Sequence, residues 1–540
     1  MIIDAALHAS LIPLENTFIE THGMTLHLPS PRIFLSLKHL QSLSLLILTV
    51  LSAHLSSVYA QQAFTPLKQG EYEVREESEF FNPGIQVNGY YHAYYASFRE
   101  ELVNGEEISD GFLQDIELQI QSKVNTNISV HAHIGNKSKV VSEQDDPFVT
   151  DYADEQSDST SDGAMDLEFR EAYLEYNHNP NARLLIGKQF INVADRIGLI
   201  YQGNANAISQ RCRIGTWCYY VGGARIGSEG DSALFWLQLD YPIYQNGVLI
   251  TDPWVKSETR QEASFSVELM RVDYQGSKIP MSSSGMWIGE GSPYQASYLD
   301  GTTRKYVYFD NDQVQYMGFN IKWNYYDFLL RFDWINLAGK RDYFSRDAGG
   351  AKEYLSKKEV AGNVYNLEMD LRVKNNWNTG LTFFAATGNE AKEDTANFWE
   401  RNPSAYMEVQ KGDFGDALIY FNGKKGLGQG HSVSNLVFYA LRTSYFSDKR
   451  DVKVDFAAYS FKRNQPVYYY DETGDKEDKS AEIGSELDLA IDWKLEERLK
   501  VGAQIAYFIP GNAYSANDNI RPTKDPEDFS LIGLNLRYDF

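Results

Sequence analysis

The chain ends on Ile532-Gly533-Leu534-Asn535-Leu536-Arg537-Tyr538-Asp539-Phe540, with apolar residues at every second position and small or polar ones between. Side chains of a strand point alternately to its two faces, so Ile532, Leu534, Leu536, Tyr538 and Phe540 share one surface and Asn535, Arg537 and Asp539 the other. A soluble sheet would turn the apolar face to a core. A closed barrel crossing a membrane would turn it outward to lipid and line a wet interior with the polar face. The rest of the chain chooses between the two.

With 540 residues, 14% aromatics, 36 Tyr and only 16 Pro, the chain is too rich in strand formers to be disordered. No apolar run reaches the roughly 18 residues that a membrane-spanning helix requires. Barrel strands escape hydropathy because their two faces average out. One apolar stretch stands apart, Leu43 to Ala53, preceded by Arg32 and Lys38 and followed by Val58-Tyr59-Ala60. A charged lead, a short apolar centre and small residues before a cut are the marks of a secretory signal. Residues 1–60 are therefore expected to be removed, with Met24 the expected start, leaving a lead over 61–83 and a barrel over 84–540.

Strand-length alternation then recurs to the end, beginning at Ile85, Val87, Tyr91 and Tyr95 on one face. Asp115 to Val124 and Ile128 to Gly135 flank Asn125-Thr126-Asn127, a tight turn. Met317 to Tyr325 turns at Tyr326-Asp327 into Phe328 to Trp334, and Tyr365 to Val373 turns over 375–379 into Leu381 to Thr387. Val437 to Tyr445 and Ser485 to Trp493 begin two further hairpins. Short turns alternate with long polar loops, and Trp323, Tyr325, Trp334, Tyr445 and Trp493 fall near strand ends, where interface girdles sit. The fold expected is all-β, a transmembrane antiparallel up-and-down barrel of about 18 strands if Gly247 to Val255 is one of them, and 16 otherwise.

The formal charge is −24, from 74 acidic and 50 basic residues, which argues against nucleic acid as a partner. The segment Val141 to Ala164 carries eight carboxylates and no basic residue. Its spacing lacks the glycine and terminal glutamate of a calcium loop, so it reads as a solvated acidic loop. The two cysteines, Cys212 and Cys218, are expected to form a disulfide in an exported chain; no adjacent His or Cys completes a metal site. They lie in the stretch Asn192 to Thr216, which also carries Arg196, Arg211 and Arg213. That stretch reads either as a loop folded into the barrel to narrow it or as a stapled cap outside. Neither cofactor nor metal is implied.

The hairpin Phe169-Arg-Glu-Ala-Tyr-Leu-Glu-Tyr176 with Arg183-Leu-Leu-Ile-Gly-Lys-Gln189 resembles one that recurs in large bacterial porin families, including alginate-export-type and phosphate-selective-type porins. The chain's end, with Phe540, Tyr538 and Leu536, resembles the signature by which Gram-negative outer-membrane proteins are recognised by the barrel-assembly machinery. The resemblance implies a channel in the bacterial outer membrane, in contact with lipid and lipopolysaccharide, with its short lead in the periplasm; a homotrimer is left open. Strand alternation turns Asp115, Glu117, Arg183, Lys322, Arg331, Asp333, Glu368, Asp370, Arg372, Arg442, Asp455, Glu486 and Asp488 inward as candidate pore-lining residues. Their signs are nearly balanced, unlike the basic lining a polyanion or phosphate channel requires. They read equally as salt-bridge ladders bracing the wall.

Catalysis finds little support. His92, His131 and His133 can share the inner face, but no G-x-S-x-G elbow supplies a nucleophile. The expected function is passive diffusion of small hydrophilic solutes, with inner aromatics such as Tyr90, Tyr94 and Trp236 suited to stacking on sugars. The alternatives are a polysaccharide export channel, or a non-conducting barrel serving as an electron-transfer sheath or adhesion scaffold.

Overall fold

The computed structural model describes residues 85–540 except 103–104, 142–167, 180, 194–198, 215–216, 227–231, 247–262, 277–296, 301–302, 348–351, 375, 389–403, 405, 407–416, 422–432, 448–450, 471–475 and 515–523. The expected signal and lead, Gly247 to Val255, Arg196 and all but the first residue of the acidic stretch lie outside the described residues.

Among the described residues nineteen strands follow in chain order: β1 Ile85–Leu102, β2 Gly105–Lys123, β3 Ile128–Val141, β4 Glu168–Asn179, β5 Ala182–Val193, β6 Tyr201–Ile214, β7 Trp217–Ile226, β8 Ser232–Asn246, β9 Ala263–Gly276, β10 Ser297–Asp300, β11 Thr303–Tyr325, β12 Phe328–Asp347, β13 Lys352–Lys374, β14 Trp377–Ala386, β15 Leu436–Ser447, β16 Val452–Tyr470, β17 Lys476–Lys494, β18 Leu499–Pro510 and β19 Phe529–Asp539. Each pairs antiparallel with its sequence neighbour, except that β11 pairs with β9 along its lower part and the short β10 pairs only with the upper end of β11. β1 pairs with both β2 and β19, so eighteen strands form a closed wall and no edge remains in it.

The terminal strand closes that wall. The Gly89 amide donates to the Phe540 carbonyl at 3.1 Å, and the Phe540 amide donates back at 2.9 Å. Glycine is required at 89 because a Cβ there would meet the Glu117 carbonyl oxygen at 2.5 Å and the Phe540 ring at 2.7 Å. The register Tyr91↔Tyr538 and Tyr95↔Leu534 carries the apolar face of β19 onto β1.

Local chemistry sets the turns. Asn125 Oδ1 accepts the Asn127 and Ile128 amides at 2.8 Å each, an Asx turn between β2 and β3. Tyr326 and Asp451 adopt left-handed backbone, with φ of 52° and 48°, between β11 and β12 and ahead of β16. Seven connections at this end span two to four residues, and the chain terminus shares the end with them. β14 starts at Trp377, earlier than the alternation suggested, because Trp377 pairs with Lys374 and Tyr445.

The outer face is what hydrocarbon requires. Ile505, Ile509, Leu487, Leu489, Ile491, Ile532 and Leu534 are among the large apolar side chains left exposed there. A soluble protein could not carry such a band without aggregating. Near the short turns the band ends in paired rings, with Trp217 on Tyr241 at 4.4 Å, Trp323 near Phe328 at 5.9 Å and Trp377 near Tyr445 at 5.1 Å. Trp334 sits further up the wall, paired with Tyr365.

The eighteen-strand wall includes a strand that the alternation did not suggest. Tyr201–Ile214, read as loop, is β6, bonded to β5 and β7 along its length. Its outward residues Asn204, Asn206 and Gln210 are polar, which hid the period.

Candidate functional site, a constriction inside the barrel

The inner face supplies the site. Glu486 and Asp488, two residues apart on β17, both point inward and are nearly buried. A turn from the long β14–β15 connection covers them. Over Ala417–Phe421 the chain makes one helical turn, closed by the Phe421 amide donating to the Ala417 carbonyl at 3.2 Å. Such a turn leaves its first amides without partners. Here the carboxylates take them: Leu418 N donates to Asp488 Oδ2 at 3.0 Å, and Ile419 N and Tyr420 N donate to the two oxygens of Glu486 at 2.6 and 2.9 Å. These are charge-assisted bonds at a site shielded from water. The rings of the turn add apolar docking. Tyr420 stacks on Phe461 at 4.3 Å, and Phe421 meets Phe438 and Phe461 edge-on at 5.7 and 5.8 Å.

The feet of the connection are pinned as well. Asn435, in left-handed backbone at φ 53°, donates from its amide to the Thr387 carbonyl at 3.2 Å. Its side chain accepts the Gln465 amide at 2.7 Å and donates to the Gln465 carbonyl at 3.1 Å.

The same connection meets a second loop inside the barrel. The Tyr406 hydroxyl donates to the Leu199 carbonyl at 2.6 Å, and Leu199 and Ile200 belong to the connection between β5 and β6. Around the closed wall those two connections lie nearly opposite, with β6–β9 and β11–β14 between them on one side. Tyr406, Leu199 and Ile200 are at most 1% exposed, and Tyr316 of β11 packs edge-on against Tyr406 at 6.2 Å. The β5–β6 connection thus meets the β14–β15 connection beside the inner wall at β11 and β14.

Elsewhere the inner wall carries ionic groups tied to one another. Arg170 pairs with Asp115 at 3.1 Å and with Glu117. His133 lies between Glu117 at 2.9 Å and Glu171 at 3.4 Å, and His131 lies 3.2 Å from Glu175 while stacking on Tyr173 at 4.7 Å. On the other side Arg331 pairs with Asp333 at 3.3 Å, Arg442 with Asp370 at 3.7 Å and Lys453 with Asp455 at 2.8 Å. Asn366 donates to both Asp333 and Glu368.

A closed, even-numbered antiparallel wall with an aliphatic outer band, a ring of aromatics and an interior of ion-paired and apolar side chains partly filled by loops leaves one architecture. The chain is a transmembrane β-barrel of outer-membrane type. No protein-family model matches it, and no curated protein does. Among solved structures it is similar to the outer membrane protein OpdK of Pseudomonas aeruginosa, at 10% identity over 84% of this chain and 99% of that one, TM-score 0.43. It is also similar to OccAB4 of Acinetobacter baumannii, at 12% identity over 85% and 99%, TM-score 0.42, and to OccK5 of P. aeruginosa, at 12% over 84% and 98%, TM-score 0.43. The assignment of the barrel stands on its own register and outer face.

The strand register puts Asp115, Glu117, Arg183, Lys322, Arg331, Asp333, Glu368, Asp370, Arg372, Arg442, Asp455, Glu486 and Asp488 on the face opposite the aliphatic band. Glu486 and Asp488 serve there as loop anchors, and Asp333 and Arg331 are buried beneath neighbours. Two expectations are corrected. Arg211 and Arg213 lie on β6, in the wall near the short-turn end, with Arg211 over the Tyr220 ring at 4.4 Å. Cys212 and Cys218 are both free and cannot be joined, because Cys212 pairs with Tyr219 and Arg213 with Cys218. Successive residues of a strand face opposite ways, so Cys212 points to lipid and Cys218 to the lumen. The turn at 417–421, Tyr406 and Arg170 were not singled out from sequence. The signal for the turn was Ala417-Leu-Ile-Tyr-Phe421, an apolar run inside an otherwise polar loop.

Proposed function

We propose that the protein is an outer-membrane diffusion channel for small hydrophilic solutes, its bore narrowed by the two loops that meet at Tyr406 and Leu199. The observation that carries the reading is the docked turn, Ala417–Phe421 held on Glu486 and Asp488 inside the closed wall. A wall of eighteen strands encloses more space than its own side chains fill, and an inward loop anchored by hydrogen bonds to buried carboxylates sets the size of what passes. Paired lumenal charges of both signs support weak ion selectivity, since neither sign dominates the wall.

Lys322, Arg372 and Arg183 on the inner face are then candidates for direct contact with solute. Phe540, Tyr538 and Leu536 on the outer face at the short-turn end are the proposed mark for the assembly machinery. The test is purified residues 61–540 in a planar bilayer, with single-channel conductance and reversal potential read in a salt gradient. Steady conductance with a reversal potential near zero is expected. Absence of conductance from heat-modifiable, folded protein would overturn the channel reading in favour of a sheath or scaffold, and strong anion selectivity would overturn it in favour of polyanion export.

A further inference from the structure

The outer wall departs from its aliphatic pattern in several places, and one of them brings Lys188 of β5, Asn206 of β6 and Arg225 of β7 side by side on the face turned away from the lumen. Asn206 and Arg225 are exposed, and Lys188 spends one of its three donors on the Phe169 carbonyl at 2.6 Å. A cation facing lipid costs about 2–4 kcal/mol at the bilayer midplane and about 0–1 near an interface, so height decides what this patch means.

Arg225 lies eight residues along β7 from Trp217, a residue of the short-turn girdle. At about 3.3 Å per residue and a tilt of about 40°, that is roughly 20 Å of height in a band about 25 Å tall. The patch therefore sits at the far interface, on the side of the long loops, which is the outward-facing leaflet. Directly below it Ile186 and Ile208 are exposed at 43% and 59%, and the Phe235 ring lies over Gly223, 3.0 Å from where a Cβ would stand. A cationic and amide rim above an apolar face is complementary to an amphiphile with a phosphorylated head and acyl chains.

We infer that the outer face of β5–β8 binds a phosphorylated glycolipid of the outer leaflet, Lys188, Asn206 and Arg225 taking a phosphate and Ile186, Ile208 and Phe235 an acyl chain. Guanidinium and ammonium groups hold phosphate through charge-assisted bonds, and the apolar face below distinguishes an anchored lipid from a free anion. The inference is independent of whether the pore conducts.

The test is retention of bisphosphorylated lipid A by the detergent-solubilised full barrel, followed by native mass spectrometry. Wild type and the outward-facing control Lys462→Gln on β16 are expected to retain it equally. The double variant Lys188→Gln/Arg225→Gln is expected to bind it at least about tenfold more weakly, the loss of one such ionic contact. All three must show the heat-modifiable mobility of a folded barrel. Equal retention by the double variant would overturn the site, as would equal retention of lipid A stripped of its phosphates. Millimolar inorganic phosphate displacing the lipid completely would reduce the patch to a simple anion site, and equal binding of phosphatidylglycerol would overturn the choice of glycolipid.

Discussion

Replacing Glu486 by glutamine tests whether the constriction is held by its carboxylate anchor. Two backbone amides, Ile419 and Tyr420, donate to the two oxygens of Glu486. Glutamine keeps one acceptor and turns an NH2 group toward the other amide, so one charge-assisted bond is lost and the second becomes neutral. At about 1.5–3 kcal/mol for a hydrogen bond to a charged group, the docked turn is weakened by about 2–4 kcal/mol. That shifts the docking equilibrium by roughly 30- to 1000-fold. The packing of Tyr420 and Phe421 on Phe461 and Phe438 remains, so the turn is expected to exchange between docked and undocked positions rather than leave for good. The assay is single-channel recording in planar bilayers, where Glu486→Gln should add a larger, flickering conductance level absent from wild type. The double variant Glu486→Ala/Asp488→Ala removes all three bonds and should spend most of its time at that level. An unchanged conductance histogram for a folded double variant would refute the anchor.

Three other outcomes follow from the same geometry. Tyr406→Phe removes a neutral bond to the Leu199 carbonyl worth about 0.5–1.5 kcal/mol, so transitions to larger conductance should become about two- to tenfold more frequent in the same recordings. Arg170→Met strips the counter-charge from Asp115 and Glu117; loss of one partner of a buried pair costs about 3–5 kcal/mol, and the low end applies because the Arg170 side chain is 19% exposed. Its reversal potential should move toward cation selectivity, and a shift toward anions or none at all would contradict the pairing. With Cys212 on the lipid face and Cys218 on the lumen face, mobility on gels should be the same with and without reductant, and a water-soluble maleimide should label Cys218 through the bore while sparing Cys212; a reductant-sensitive band would contradict the register.

The wall was legible because lipid enforces its pattern on each strand separately: Ile532 to Phe540 separates an apolar face from a polar one, and the repetition of that alternation along the chain turns the apolar face to hydrocarbon, while the seam between Phe540 and Gly89 came only with the structure. The inner face was legible for the same reason, since a residue's side follows from its neighbours by parity. β6 escaped because its outer face trades most aliphatics for Asn204, Asn206 and Gln210 while its inner face carries Ala205 and Ala207, so parity finds no apolar face opposed to a polar one. Once β6 was taken for a loop, its arginines became a constriction and its cysteines a staple, although a one-residue offset in register keeps the two sulfurs on opposite sides of the sheet. What an inward residue does lay beyond parity altogether. Alternation assigns Glu486 and Asp488 the same place as Asp455, yet the first two bind the amides of a turn some 70 residues upstream while Asp455 bonds Lys453 and Ser444. That difference is made by a long connection whose path is set by apolar docking of five residues, Ala417 to Phe421, and by two carboxylates that accept amides the turn itself cannot satisfy. In a barrel of this kind the strands write the wall in local code, and the loops that decide passage are specified by contacts that only the closed wall brings together.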